Sequence, residues 1–144
     1  MRLFTIGFTQ SSAAHFFGRL KEAGVTRLID VRLNRRSQLA GFAKEGDLAW
    51  FARELCGIET EHALALAPTP ALLGAYRAGE VDWPEYAARF KRLIARRRIE
   101  TQLDRARLDG ACLLCSEALP HHCHRRVVAE YLRETWGKVE VVDL

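Results

Sequence analysis

GACLLCS, residues 110–116, is the stretch of sequence that decides the fold. Its apolar residues follow one another without polar alternation, which is typical of a strand covered on both faces. Strands of that kind belong to parallel sheets, whose strands are joined by helical crossovers. The run ends in the polar pair Ser116 and Glu117. We therefore expect a strand of a parallel sheet followed by a polar turn.

Strand-like and helix-like patterns alternate on both sides of this run. Further strands are predicted at RLFTIG (2–7), VTRLIDVR (25–32) and VEVVDL (139–144), with a short one at GIETEH (57–62). Apolar residues recur at helical spacing between them. Strands alternating with helices predict an α/β fold. We expect a single domain over 1–144, with a mainly parallel sheet of about four to five strands flanked by helices.

Capping residues mark where several of the helices begin. Ser11 or Ser12 can cap the first helix, and Asp47 the second. Thr69 and Pro70 open a small helix, because proline suits the first helical position. The pattern Asp82-x-x-Glu85 resembles a capping box before a long helix that carries its arginines outward.

The bulk composition limits the classes of partner. The net charge is +4 and the pI is near 9.1, which permits a phosphate-bearing partner without requiring one. No apolar run approaches the roughly 20 residues that span a bilayer, so no membrane partner is predicted. Four cysteines in 144 residues do not make a disulfide scaffold. A cytoplasmic location is expected.

Three predicted strands end in polar residues. These ends are residues 7–9, residues 30–32 and residues 115–117. In an open parallel sheet, ligands bind at the carboxyl ends of the strands. We therefore expect Gly7, Thr9, Asp30, Arg32, Cys115 and Glu117 to gather at one edge of the sheet.

The cysteines differ in their expected surroundings. Cys112 and Cys115 are three residues apart on a strand, so they point to opposite faces and cannot chelate one ion. Cys112 is therefore interpreted as a packed core residue. Cys123 lies near the start of the last helix, where the helix dipole stabilises a thiolate or an anion, and Arg125 adds positive charge. Packing alone is the alternative for Cys123.

The histidines allow a further alternative. His121 and His122 are expected in an exposed turn, whereas His124 lies closer to the edge of the sheet and can pair with Glu117. No cofactor and no metal ligands are predicted. A zinc site that includes Cys115, Cys123 and His124 is kept as an alternative, although a second paired knuckle is missing.

Two familiar catalytic loops are excluded by spacing. A cysteine-based phosphatase loop needs an arginine six positions after its cysteine, but that position is Ala129 from Cys123 and His121 from Cys115. The dinucleotide-binding pattern of three spaced glycines also fails, because only Gly7 is present in GFTQSS.

An ordered set of motifs resembles one known family. TIGFT (5–9), LIDVR (28–32), LLCSE (113–117) and HCHRRVVAEYL (122–132) resemble the domain of unknown function 488 family. The resemblance covers nearly the whole chain and implies an α/β fold with a shared polar site at these motifs. Many relatives carry a proline soon after the aspartate–valine–arginine step, where this chain has LNRR (33–36). The resemblance implies no particular reaction.

The first hypothesis is a small enzyme, with hydrolysis or group transfer as the reaction. Cys115 or Cys123 would be the nucleophile, and Glu117 or Asp30 would move a proton. The substrate would be a small anion that carries a phosphate or a carboxylate. Its binding residues would be Gly7, Thr9, Arg32, His124 and Arg125.

Two alternatives belong to other classes. The arginine-rich helix of residues 89–98 could bind nucleic acid or serve an accessory module, with Arg89, Arg92 and Arg96 facing phosphates. Exposed arginine runs are more often solvated helix faces. The polar cluster could also be structural, tying the last helix to the sheet without catalysis.

Overall fold

The computed structural model describes residues 1–35, 41–116 and 122–144. Five strands form one sheet, in the order β3-β2-β4-β1-β5, and every neighbouring pair is parallel. The strands are β1 (Arg2–Gly7), β2 (Arg27–Asp30), β3 (Glu59–His62), β4 (Ala111–Cys115) and β5 (Glu140–Asp143). The predicted α/β fold with a mainly parallel sheet is confirmed. The apolar run that led to it forms β4, the central strand.

Seven α-helices accompany the sheet in the described residues. They are α1 (Ala13–Ala23), α2 (Asp47–Cys56), α3 (Pro70–Arg77), α4 (Trp83–Arg97), α5 (Ile99–Gln102), α6 (Arg105–Leu108) and α7 (His124–Trp136). Short 3-10 turns cover Gly41–Ala43 and Leu64–Leu66. None of these helices is long and apolar enough to cross a membrane.

The predicted helix caps are formed, with one exception. Ser12 accepts the N–H of His15 at the start of α1, and Asp82 accepts the N–H of Glu85 at the start of α4. The prediction that Asp47 caps α2 was wrong. Gly46 holds the cap position and Asp47 is the first helical residue, where its carboxylate faces the positive end of the helix dipole.

Two apolar layers cover the two faces of the sheet. Cys112 and Leu114 of β4 pack in a cluster that includes residues of α1 and α2. Leu113 and Cys115 pack on the other face with residues of α4 and α7. The prediction that Cys112 and Cys115 face opposite sides, with Cys112 in the core, is confirmed because side chains alternate along a strand.

The ends of β1, β2 and β4 lie at the same edge of the sheet. The N–H of Val31 donates to the carbonyl oxygen of Leu114 at 3.0 Å. On the other side, Thr9 donates both its N–H and its hydroxyl to the carbonyl oxygen of Ser116, at 3.0 and 2.8 Å. These bonds join residues just beyond β1 and β2 to the carboxyl end of β4.

The turn before β4 depends on Gly110. Its φ of +81° is in the left-handed region, and a Cβ there would lie 3.0 Å from the Cγ2 atom of Thr26. Its N–H donates to the carbonyl oxygen of Arg2, and its own carbonyl accepts the N–H of Thr26. The glycine thus lets the central strand start between β1 and β2.

Candidate functional site

A pocket of about 120 Å³ opens at the carboxyl ends of β2 and β4. Four parts of the chain line it: residues 32–34 after β2, residues 73, 76 and 77 of α3 with residue 86 of α4, residues 115 and 116 at the end of β4, and residues 122–124 at the start of α7. Ligand sites of α/β proteins occur at this edge of the sheet. The pocket is therefore the candidate site.

Two thiols lie together in the pocket wall. Cys115 is the last residue of β4, and Cys123 is the residue before the first turn of α7. Both side chains are buried, and their sulfurs lie within 4.8 Å of each other. Two thiols this close share their protons unequally, because a thiolate accepts a hydrogen bond from the thiol beside it.

The pKa values of the two thiols are shifted in opposite directions. The S–H of Cys123 donates to the Cys115 sulfur and lowers the pKa of Cys115 despite its burial; the N–H of Ser116 and the charge of Arg125 act in the same direction. The pKa of Cys123 is raised, because this thiol holds the shared proton and is itself buried. Cys115 is therefore the thiol that ionises first.

His124 is held in place by the backbone of β2's end. Its Nε2 lies 2.7 Å from the carbonyl oxygen of Val31, so Nε2 carries the proton and donates it to that oxygen. The Cys115 sulfur is 3.6 Å from Nδ1 and 3.8 Å from Nε2. Because these distances are nearly equal, the sulfur lies beside the ring and not along the lone pair of Nδ1. His124 is thus a polar neighbour of the thiol, without the in-line geometry of a base.

The same distances bear on the zinc alternative. Cys115, Cys123 and His124 are the described residues whose ligand atoms lie close enough together to hold a metal ion. Zinc would lie about 2.3 Å from sulfur and about 2.0 Å from nitrogen, on the nitrogen's lone pair. A sulfur that shared an ion with Nδ1 would then be far from Nε2, which contradicts the 3.8 Å observed. The side chains do not fit a shared ion in this arrangement.

Asp30 and Arg32 form a buried ion pair behind the pocket. Arg32 donates Nε to one carboxylate oxygen at 2.9 Å and Nη2 to the other at 2.7 Å, and Nη2 also donates to the carbonyl oxygen of Ala43. Both side chains are only 2% exposed. The guanidinium lies over the ring of Phe8. Asp30 is thus engaged in orienting Arg32.

One donor of Arg32 remains unused. Its Nη1 is buried and has no hydrogen-bond partner within the part of the chain that the structure describes. Arg32 also belongs to the pocket wall. A buried polar group without a partner is costly, so it marks a place where a bound group or water is favoured.

The other predicted site residues have different surroundings. Thr9 ties the end of β1 to β4, and Gly7 pairs with Cys115 in the β1–β4 register. Neither lines the pocket. Arg125 is buried outside the pocket lining, and its charge lowers the pKa of Cys115 and partly offsets the raised pKa of Cys112. The predictions for Glu117 and His121 fall outside the described residues.

A comparison with protein families matches residues 12–132 to a family described as "Domain of unknown function DUF488". The chain belongs to the DUF488 family. The match includes β2, β4 and the N-terminal part of α7, which carry most of the pocket's polar residues. No curated protein and no solved structure matched the chain.

Sequence reasoning missed the aromatic side of the DUF488 pocket. The rings of Tyr76 and Tyr86 stack with centroids 4.6 Å apart, and those of Trp83 and His122 stack at 5.2 Å. Burial raises the pKa of Tyr86, so its phenol keeps its proton. Tyr86 lies on the buried face of α4 and was not predicted from the sequence as a site residue. A phenol on such a face was the available signal, because a buried O–H group needs a polar neighbour.

The arginines of α4 lie apart from the pocket of this DUF488 chain. Arg89, Arg92 and Arg96 line a second groove, of about 470 Å³, between α3 and α4. Arg89 is paired with Glu85 at 2.7 Å. Arg92 and Arg96 are exposed and have no ion pair among the described residues. The groove is a second, more open site with a positive edge.

Proposed function

We propose that this DUF488 protein is an enzyme that binds a small anionic substrate in the pocket and uses the Cys115 thiolate as its nucleophile. The observation that carries the proposal is the position of Cys115. Its thiol lies beside the proton-holding Cys123, in a pocket whose lining also includes Arg32 and Arg77. Hydrolysis and group transfer both suit a thiolate that forms a covalent intermediate.

The nucleophile is supported by the electrostatics around it. A thiolate reacts and a thiol does not, so a reactive cysteine needs a lowered pKa in a partly enclosed, positive environment. The Cys123 S–H, the Ser116 N–H and the charge of Arg125 supply that environment for Cys115. The N-terminus of α7, which points its backbone N–H groups toward this end of the sheet, adds a partial positive charge.

The anion is supported by positive charge at the pocket. Helix α7 has no acidic residue in its first turn, and Cys123 makes no capping bond with its side chain. The partial positive charge at this end of α7 is therefore not offset by an acidic side chain of its first turn, and it favours a phosphate or carboxylate nearby. Arg77 is exposed and lines the pocket, so its guanidinium adds a charged donor there. Together they favour an anion next to the thiolate.

The aromatic wall limits the rest of the substrate. Tyr76, Tyr86 and His122 are aromatic residues of the pocket lining. Flat rings favour a planar or apolar group beside the anion. The neutral phenol of Tyr86 can donate a hydrogen bond to a substrate oxygen at physiological pH. Glu117, which follows Ser116, stays a prediction as the group that moves a proton.

The test combines binding with thiol labelling. Inorganic phosphate, and benzoate as a carboxylate with a planar ring, are titrated into the reduced protein while iodoacetamide labelling of each cysteine is followed by peptide mass spectrometry. We expect Cys115 to be labelled first and either anion to slow its labelling. Arg77→Ala should weaken this protection. Arg53→Ala, which removes an exposed arginine of α2, is the matched control and should leave it unchanged.

A covalent product completes the test. p-Nitrophenyl acetate and p-nitrophenyl phosphate carry a planar ring beside an electrophilic centre, so a mass increase on Cys115 would identify the nucleophile, and Cys115→Ser should abolish it. If neither anion protects Cys115 and neither reagent modifies it faster than Cys56, the proposal is wrong. Cys56 is the comparison because its thiol is half-buried and its pKa is raised by burial.

A second candidate function is supported by the groove between α3 and α4. We propose that a polyanion such as nucleic acid lies along it, because Arg92 and Arg96 are exposed there without an ion pair among the described residues. Gel shifts with a mixed-sequence oligonucleotide at several salt concentrations test this. Each lost phosphate contact should lower the salt slope by about 1, so Arg92→Ala with Arg96→Ala should lower it by about 2. Absence of binding at low salt removes this candidate.

A further inference from the structure

We propose that Cys115 and Cys123 form a reversible intramolecular disulfide when the protein meets a peroxide, and that this disulfide switches off the pocket's nucleophile. The inhibitory consequence rests on the proposed function, whereas disulfide formation can be measured without any substrate. Three features of the protein support the disulfide: the closeness of the two thiols, their unequal protonation and the distance of the other cysteines from them.

The position of the thiols allows the bond. Their sulfurs lie within 4.8 Å of each other, and they belong to different elements, the end of β4 and the start of α7. A disulfide needs a sulfur separation of about 2.05 Å, which rotation of the two side chains can supply where the backbones are already close. Seven residues, 116–122, separate the two cysteines in the sequence, so the bond would close a small covalent ring.

The other two cysteines cannot compete for either thiol. Cys112 points to the opposite face of the sheet, and its pKa is raised by burial. Cys56 lies on α2 and packs against that same opposite layer. The fold therefore offers Cys115 one intramolecular partner, Cys123, among the four cysteines of the chain.

The two thiols have the protonation states that the reaction needs. Oxidation by a peroxide begins with a thiolate, and a second thiol nearby then resolves the product. Cys115 ionises first, and Cys123 keeps its proton beside it. The pocket at this wall has room for a molecule the size of hydrogen peroxide.

The reaction balances in two steps. The Cys115 thiolate attacks one peroxide oxygen, the O–O bond breaks, and the hydroxide that leaves takes a proton from solvent to become water. Cys115 is now a sulfenic acid, oxidised by two electrons, and the peroxide has been reduced. The sulfur of Cys123 then attacks that of Cys115, an S–S bond forms, and the displaced hydroxyl leaves as water with the proton of Cys123. Two thiols and one peroxide thus give one disulfide and two waters.

The experiment uses the full chain with all four cysteines. The reduced protein is treated with a small excess of hydrogen peroxide, the remaining thiols are blocked with N-ethylmaleimide, and the digest is analysed without reduction. We expect a cross-linked peptide that joins Cys115 to Cys123, and its loss after treatment with dithiothreitol. The oxidised protein should lose its iodoacetamide labelling at Cys115 and regain it on reduction.

Two variants sharpen the result. In Cys123→Ser the resolving thiol is gone, so Cys115 should react with dimedone as a sulfenic acid and then advance to the sulfinic acid. Cys56→Ser removes a cysteine outside the pocket and should leave the cross-link unchanged. Oxidation of Cys115 to the sulfinic acid in the wild-type protein, or retention of both free thiols while Cys56 is oxidised, would overturn the proposal.

The outcome also separates this proposal from the proposed function. If the cross-link forms but neither anion protects Cys115 in the reduced protein, the disulfide stands and the anion-binding enzyme does not. If anions protect Cys115 and a substrate modifies it, yet no cross-link forms, the redox switch is refuted and the enzyme remains.

Discussion

Replacing Asp30 with asparagine should destabilise the protein strongly, although the two side chains have nearly the same shape. Asp30 accepts two hydrogen bonds from the Arg32 guanidinium and one, at 3.1 Å, from the Arg32 backbone N–H. Arginine cannot lose its proton in a protein, so Asp30→Asn leaves a buried cation without its counter-charge. Breaking a buried pair in this way costs about 3–5 kcal/mol.

The magnitude can be read from urea unfolding followed by circular dichroism. With a slope of about 2 kcal/mol per molar urea, a loss of about 4 kcal/mol lowers the midpoint by about 2 M. Glu140→Gln breaks the exposed Arg2–Glu140 pair, whose side chains are 57% and 62% exposed, and should cost less than about 1 kcal/mol. The two variants test whether burial, and not pairing itself, sets the cost.

A double variant removes both charges of the pair, so that neither is left buried alone. Asp30→Leu with Arg32→Met removes both charges and should be more stable than either single variant, because neither charge is then left buried alone. The reasoning is refuted if Asp30→Asn costs less than about 1 kcal/mol, or if the double variant is as unstable as the sum of its single changes. Either result would mean that solvent reaches this pair and that it does not anchor the edge of the sheet.

Two further predictions concern the thiol pair and the turn before β4. Cys123→Ala removes the hydrogen-bond donor that lowers the pKa of Cys115, so this pKa should rise. The pH midpoint of Cys115 alkylation by iodoacetamide should therefore move to higher pH. An unchanged midpoint would assign the lowered pKa to another group. Gly110→Ala combines left-handed strain of about 1–2 kcal/mol with crowding against Thr26, whereas Gly79→Ala, at a φ of +74° with open space around it, meets the strain alone. Urea unfolding should therefore show a clearly larger loss for Gly110→Ala, and equal losses would contradict the packing of this turn.

Most of the fold could be predicted because its signals are local. The unbroken apolar run of residues 111–115 indicates a strand buried on both faces, and this strand is the centre of the sheet. Alternation along a strand was enough to place Cys112 and Cys115 on opposite faces. The wrong prediction for Asp47 also has a local cause. Gly46, which has a positive φ, holds the cap position before α2, so Asp47 is the first residue of the helix itself.

The candidate site could be predicted only where it follows the strand ends. Arg32, Cys115 and Cys123 were named from the sequence and line the pocket. Tyr76 and Tyr86 were not, because they come from helices in the crossover between β3 and β4, and no local pattern shows where such a crossover packs. Which of the two thiols ionises first depends on the contact between Cys115 of β4 and Cys123 at the start of α7. The sequence showed only that Cys123 lies near a helix N-terminus, which was not enough to choose between them.

The position of β1 has a consequence for how the chain folds. This apolar strand is bonded to β4 and β5, and its nearest neighbour in the chain, β2, is bonded to β3 and β4 instead. The residues of β1 are synthesised before those of β4, which lie more than a hundred positions later, and the centre of the sheet forms only when both strands are present. Non-local pairing of this kind slows folding. A ribosome-bound nascent chain should thus remain unfolded until β4 has left the ribosome. Translation arrested before that point should leave β1 accessible to proteases and chaperones.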